Sequence, residues 1–143
     1  MTNSFIAMPS SRTRILGYQL YKYDIKGFLH WGFNFYNACR SYYKINPYLT
    51  TSAECNYPSG DGFIVYPGRN DAYPSIRGEI TYEAIQDMKV CLALEALIGR
   101  EAVVKMIDDA SERDFRFDDY PWDNDFTEKL RASMITLIKE KTE

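Results

Sequence analysis

Asp118, Asp119, Asp123 and Asp125 are the densest group of carboxylates in the chain. Such groups can hold a divalent cation or divide acid and base roles between them. Their spacing departs from a calcium loop, and no glycine falls at the sharp turn such a loop needs. The pattern points instead to capping a following helix and lying against its positive end. Glu79, Glu83 and Asp87 stand four residues apart, which on a helix marks a solvated face.

Other chemistries have even less to work with. His30 is the single histidine. No partner ligand stands at metal spacing from it, so it reads as a packed or hydrogen-bonded residue in an apolar strand. Pro58-Ser59-Gly60 lacks the first glycine of a nucleophile elbow. Gly60-Asp61-Gly62 lacks the length and the lysine of a phosphate loop and reads as a tight turn. Neither a metal nor an organic cofactor is called for. Three cysteines, Cys39, Cys55 and Cys91, are an odd number without a C-x-x-C spacing. That argues against a disulfide scaffold and a zinc site, and suits a reducing, cytoplasmic compartment. The groups with most promise are Trp31, Asn34 and Tyr36. An indole face and two hydrogen-bonding side chains on one segment are what a sugar-binding wall requires, although Trp31 would serve equally as core.

These residues need a scaffold. Ser10 or Ser11 can cap a helix over 12–23, where Ile15, Leu16, Leu20 and Tyr23 recur near helical spacing. Residues 28–36 are almost continuously apolar and aromatic, which predicts a strand covered on both faces, as in a parallel sheet. Leaving Phe28, Leu29, Trp31, Phe33 and Phe35 exposed would forfeit about 1.5–3 kcal/mol each. Something must therefore cover them: the C-terminal helices, a second copy, or further chain. A long turn-rich loop runs to residue 61, and Phe63-Ile64-Val65-Tyr66 forms a short strand stopped by Pro67-Gly68. Ser75 opens a helix over 76–98 with Ile76, Ile80, Ala84, Met88, Cys91 and Leu92 on its inner face, and Gly99 ends it. Helices over 101–110 and 125–141 follow an acidic, aromatic connection that Pro121 keeps non-helical. The fold class is α/β with a helical C-terminal tail.

With 143 residues, 45% hydrophobic and 26% charged, the chain has the balance of a folded domain. A net charge of −3 without a basic face excludes a nucleic-acid partner. No run of residues is apolar enough for a membrane span or a signal peptide.

The string Arg14-Ile15-Leu16-Gly17-Tyr18-Gln19-Leu20-Tyr21-Lys22-Tyr23 and Lys26-Gly27-Phe28-Leu29-His30-Trp31-Gly32-Phe33-Asn34-Phe35-Tyr36 carries a family resemblance. So do Gly60-Asp61-Gly62-Phe63-Ile64-Val65-Tyr66-Pro67-Gly68, Pro74-Ser75-Ile76-Arg77 and Glu83-Ala84-Ile85-Gln86-Asp87. Together they resemble domain of unknown function 4091, the C-terminal domain of glycoside-hydrolase-like proteins that include β-N-acetylgalactosaminidases. The resemblance covers about residues 5–98. It implies a fragment similar to the last strand–helix units of a (β/α)8 barrel, since a whole barrel takes about 200–250 residues. Residues 1–110 would be the barrel-like αββα segment, and 111–143 the acidic-aromatic linker with a terminal helix packed on it. Trp31 and Asn34 would line the substrate wall, with Asp61 on a neighbouring loop. The resemblance also implies an adjacent Asp-Glu catalytic pair, and no such dipeptide occurs here. The expectation is a chain that binds carbohydrate containing N-acetylhexosamine and has no catalytic residues of its own. It would associate with a missing N-terminal barrel part or with itself. The alternative is a stand-alone interaction module that uses its aromatic strand to pair.

Overall fold

The computed structural model describes residues 3–143. Two short helices, α1 (Ser10–Arg14) and α2 (Leu16–Lys22), are followed by a hairpin of β1 (Val65–Pro67) and β2 (Ala72–Pro74). Three longer helices complete the order: α3 (Ile76–Ile98), α4 (Arg100–Ser111) and α5 (Asn124–Thr142). The chain is thus a mixture of helix and one small antiparallel sheet, pairing Val65 with Pro74, Tyr66 with Tyr73 and Pro67 with Ala72.

Local chemistry explains the helix ends. Ser75 accepts a hydrogen bond from the Gly78 N–H at 3.3 Å, satisfying an orphan donor of the first turn of α3. Gly99 follows at φ 82°, which a side chain would resist. Asp123 caps α5 by accepting from the Phe126 N–H at 2.7 Å, so part of the acidic cluster has the capping use its position suggested. Asp119 bonds Arg113 at 3.0 Å, and Asp125 pairs with Lys129 at 3.1 Å. The first helix begins one step earlier than Ser10 or Ser11 as caps would place it, with Pro9 at its N-cap. Ser11 is buried, and its hydroxyl donates to the Trp122 carbonyl at 2.8 Å.

The core gathers side chains from every helix after α1. Tyr18 and Tyr21 of α2, with Ile15 beside them, meet Cys91 and Leu94 of α3 and Val103 and Ile107 of α4. Phe126, Leu130 and Met134 of α5 close it, together with Phe115 and Tyr120 from the connection before α5. Phe126 stacks on Phe115 with ring centroids 6.0 Å apart and meets Tyr18 edge-on at 6.3 Å.

Two expectations are corrected here. The inner face of α3 is turned: Ile76 is 67% exposed, whereas Arg77, Ala84, Asp87, Cys91 and Leu94 are buried. Asp87, expected on a solvated face, is fully buried because Arg14 and Arg131 both reach it. Residues 28–36 form no ladder of a parallel sheet. They touch a neighbour through a single antiparallel bridge, Asn34 with Phe63, flanked by Phe35 N–H to Gly62 O and Ile64 N–H to Phe33 O, both 2.9 Å. The C-terminal helices cover the core described above and leave Phe28 (55%), Leu29 (87%) and Phe33 (55%) exposed. A strand with no neighbour along its length cannot satisfy its backbone as sheet, whatever its composition.

Close approach of α2 to α3 depends on Gly17. A Cβ there would lie 1.8 Å from the Ala84 carbonyl oxygen, a backbone atom that cannot swing aside. Gly17→Ala is expected to cost about 3 kcal/mol through forced separation of the two helices, read as a lower urea midpoint with unchanged slope.

Candidate functional site

A cleft of about 300 Å³ opens between the N-terminal residues, α1 and the 28–31 segment. Asn3, Thr13, Phe28, His30, Trp31 and Asp61 are among its walls. This volume lies at the lower end of small-molecule sites.

Trp31 and Asp61, thirty residues apart, meet here: the indole Nε1–H donates to the Asp61 carboxylate at 3.2 Å. Trp31 keeps 47% of its surface exposed. Tyr57 and Phe35 hold it edge-on, with centroids 5.3 Å and 5.5 Å away. The result is an apolar ring fixed in orientation beside a hydrogen-bond acceptor.

Backbone packing fixes that pair. A Cβ at Gly32 would lie 2.2 Å from the Asp61 carbonyl oxygen, so only glycine lets the two segments cross so closely. Gly60, at φ 83°, makes the turn that presents Asp61. Arg77, buried on α3, then grips the chain on both sides of Asp61. Its Nη1 donates to the Gly60 carbonyl at 2.6 Å, the Phe63 carbonyl at 2.7 Å and the Ser4 carbonyl at 3.1 Å.

Asn34 and Tyr36 are not walls of this cleft. Asn34 is exposed at the bridge to Phe63. Tyr36 donates its hydroxyl to the Val65 carbonyl at 2.8 Å and leans on Phe63; burial raises its pKa. Its polar end is engaged within the fold.

His30, by contrast, lines the cleft, and its Nε2 is buried without a hydrogen-bond partner. Buried polar atoms are nearly always paired, so this nitrogen is an exception within the described residues. Its neighbours along the chain are apolar and carry no sign of the cleft.

A larger hollow of about 440 Å³ lies between α4 and α5, around Met106, Arg113, Asp123 and Lys129. Its polar groups are already engaged. Asp123 caps α5, Ser111 bonds the Asp108 and Arg113 carbonyls, and Arg113 holds Asp119. Among the described residues, no cluster of three or more His, Cys, Asp or Glu is arranged to hold a metal ion.

The segment that builds the Trp31 cleft coincides with a family match. The model of the glycoside hydrolase 123 catalytic domain matches residues 1–94. The chain belongs to that family. The match takes in α1, α2, the aromatic loop, the hairpin and most of α3, and leaves out α4 and α5. Every wall of the Trp31 cleft falls inside it, whereas all the residues around the larger hollow fall outside. No curated protein matches the chain. No helix among the described residues is long and apolar enough to cross a membrane.

Proposed function

We propose that this chain binds a carbohydrate in the Trp31 cleft as part of a glycoside-hydrolase-like protein. In this reading it supplies binding residues and no complete catalytic pair. The observation that carries the proposal is the fixed, half-exposed indole of Trp31 with Asp61 beside it, in a cleft that His30 also lines. A pyranose ring offers C–H groups for the indole face and hydroxyls for the Asp61 carboxylate. Asn34 and Tyr36 lie further along the same segment, where Asn34 would reach a more extended sugar and Tyr36 steadies the wall. The absence of an adjacent Asp-Glu pair from the sequence supports binding without cleavage. The barrel reading belongs to the same proposal: residues 28–36 would take strand form when neighbouring strands of a C-terminal domain 4091-type barrel lie alongside.

Tryptophan fluorescence tests the site. In a Trp122→Phe background Trp31 is the sole reporter, because the chain has only two tryptophans. Titration with N-acetylgalactosamine is expected to give a saturable change. Asp61→Asn should weaken it about tenfold, the equivalent of ~1.4 kcal/mol for a charge-assisted hydrogen bond. A folded, monodisperse protein with no response to any N-acetylhexosamine would overturn the reading.

A second reading is favoured by the exposure of Phe28, Leu29 and Phe33. A contiguous apolar segment of this kind commonly marks association with another protein surface. If that is its use, sedimentation should show a concentration-dependent dimer that Leu29→Lys abolishes while the fluorescence titration stays silent.

A further inference from the structure

Cys39 and Cys55 approach one another at the base of the aromatic loop that carries Tyr57 to Trp31. The Cys39 N–H donates to the Ala53 carbonyl at 2.9 Å, and the Cys55 N–H closes a turn onto Ser52 at 3.1 Å. These bonds lay residue 39 beside the 53–55 turn and bring the two cysteines close enough for Cys39 to influence the Cys55 thiol. Both side chains are half-buried, so a small oxidant reaches them, whereas Cys91 is buried with its sulfur 3.7 Å from Met134. The turn itself is strained: Ala53 and Glu54 hold φ 54° and 56°, and Ser41 holds 58°, all left-handed values for residues other than glycine. Strain of this kind persists where surrounding contacts hold it.

We propose that Cys39 and Cys55 are a reversible thiol–disulfide pair whose oxidation fastens the 39–55 loop. The inference concerns the loop behind the Trp31 cleft, and its effect on sugar rests on the carbohydrate reading. The oxidant is a peroxide. The Cys39 thiolate attacks one peroxide oxygen, the O–O bond breaks, and the departing hydroxide takes up a proton as water. The Cys55 sulfur then attacks the resulting Cys39 sulfenic acid. Its S–O bond breaks as the S–S bond forms, and the second hydroxide leaves with the Cys55 proton as water. Two thiols lose two electrons, and one peroxide gains them. The hydrogen bond with Cys39, followed by burial, holds the Cys55 thiol above its ordinary pKa. Cys55 is therefore the later, proton-delivering partner, and the exchange should quicken as pH rises.

The purified chain treated with one equivalent of hydrogen peroxide at mildly alkaline pH is the test. Its mass should fall by about 2 Da, reversibly with dithiothreitol. Accessible thiols in denaturant should drop from the three of the sequence to Cys91 alone, and a peptide map should show residues 39 and 55 joined. Fastening a loop of this length should raise the thermal midpoint by roughly 5–10 °C, and Cys55→Ser should show neither the mass loss nor the rise. Three titratable thiols after treatment, covalent dimers in place of the internal link, or an unmoved midpoint in the linked form would each overturn the proposal. None of these readouts uses a sugar, so failure of the carbohydrate reading would leave them intact.

Discussion

Asp87→Ala is expected to destabilise the protein by about 3–5 kcal/mol, because it removes the buried carboxylate that Arg14 and Arg131 share inside a helix interface. The carboxylate is fully buried. It accepts from Arg14 Nε at 2.8 Å and Nη2 at 3.3 Å, and it lies 3.4 Å from Arg131 Nη1. The arginines come from α1 and α5, so this one side chain on α3 joins three helices. Burial pushes the carboxyl up and the hydrogen bond from Arg14 pulls it back. Such a site is costly to break from one side and much less so to replace as a set. Arg131 also bonds Glu83 and would keep that partner. The double variant Arg14→Met, Asp87→Leu should therefore recover most of the loss. Urea unfolding of the single and double variants is the measurement. A loss below about 1 kcal/mol for Asp87→Ala would show that the network contributes little.

Arg77→Met should cost about 3–4 kcal/mol and, unlike the change at Asp87, should also disturb the Trp31 cleft. It leaves the carbonyls of Ser4, Gly60 and Phe63 without their donor, at roughly 1–3 kcal/mol for each group that stays buried and unpaired. The guanidinium also lies over the Phe63 ring, 5.5 Å from its centroid, so packing is lost as well. Released carbonyls on both sides of Asp61 would let that residue move away from Trp31. The expected signature is a red-shifted Trp31 emission in the Trp122→Phe background, together with weaker sugar binding. Arg77→Lys should restore part of the loss, since all three carbonyls meet one nitrogen, Nη1, and an ammonium carries three donors. An unfolding loss with unchanged emission would mean that Arg77 holds the fold without positioning the cleft.

Much of the helical part of this chain is written locally. Ser75 and Gly99 bracket α3, and Asp123 caps α5; each signal acts within a turn of its own residue and needs no knowledge of the rest. Trp31 stands out by residue type and Asp61 through the family resemblance, and the fold brings them into contact. Reading 28–36 as a covered strand failed for a definite reason. Composition reports how apolar a segment is, but sheet pairing depends on which neighbour lies along it, and here the partners are short: 62–65 beside residues 33–35, and Ile45 at Tyr36.

The placement of Asp87, Arg77, His30 and the Cys39–Cys55 contact was illegible for a related reason. The carboxylate that seems solvated at four-residue spacing is buried because partners 73 and 44 residues away close over it. Arg77 gains its meaning from three backbone carbonyls, which no side-chain pattern encodes. His30 became a candidate only when the fold set it in the wall of a cleft. What the sequence determined by itself is the three C-terminal helices, the caps that open α3 and α5, and the capacity for a core, because propensity, capping and burial act over a few residues. Only the tertiary structure decided which residues share a cleft and which charges go inside, because hydrogen bonds and ion pairs are made between groups that the chain keeps far apart.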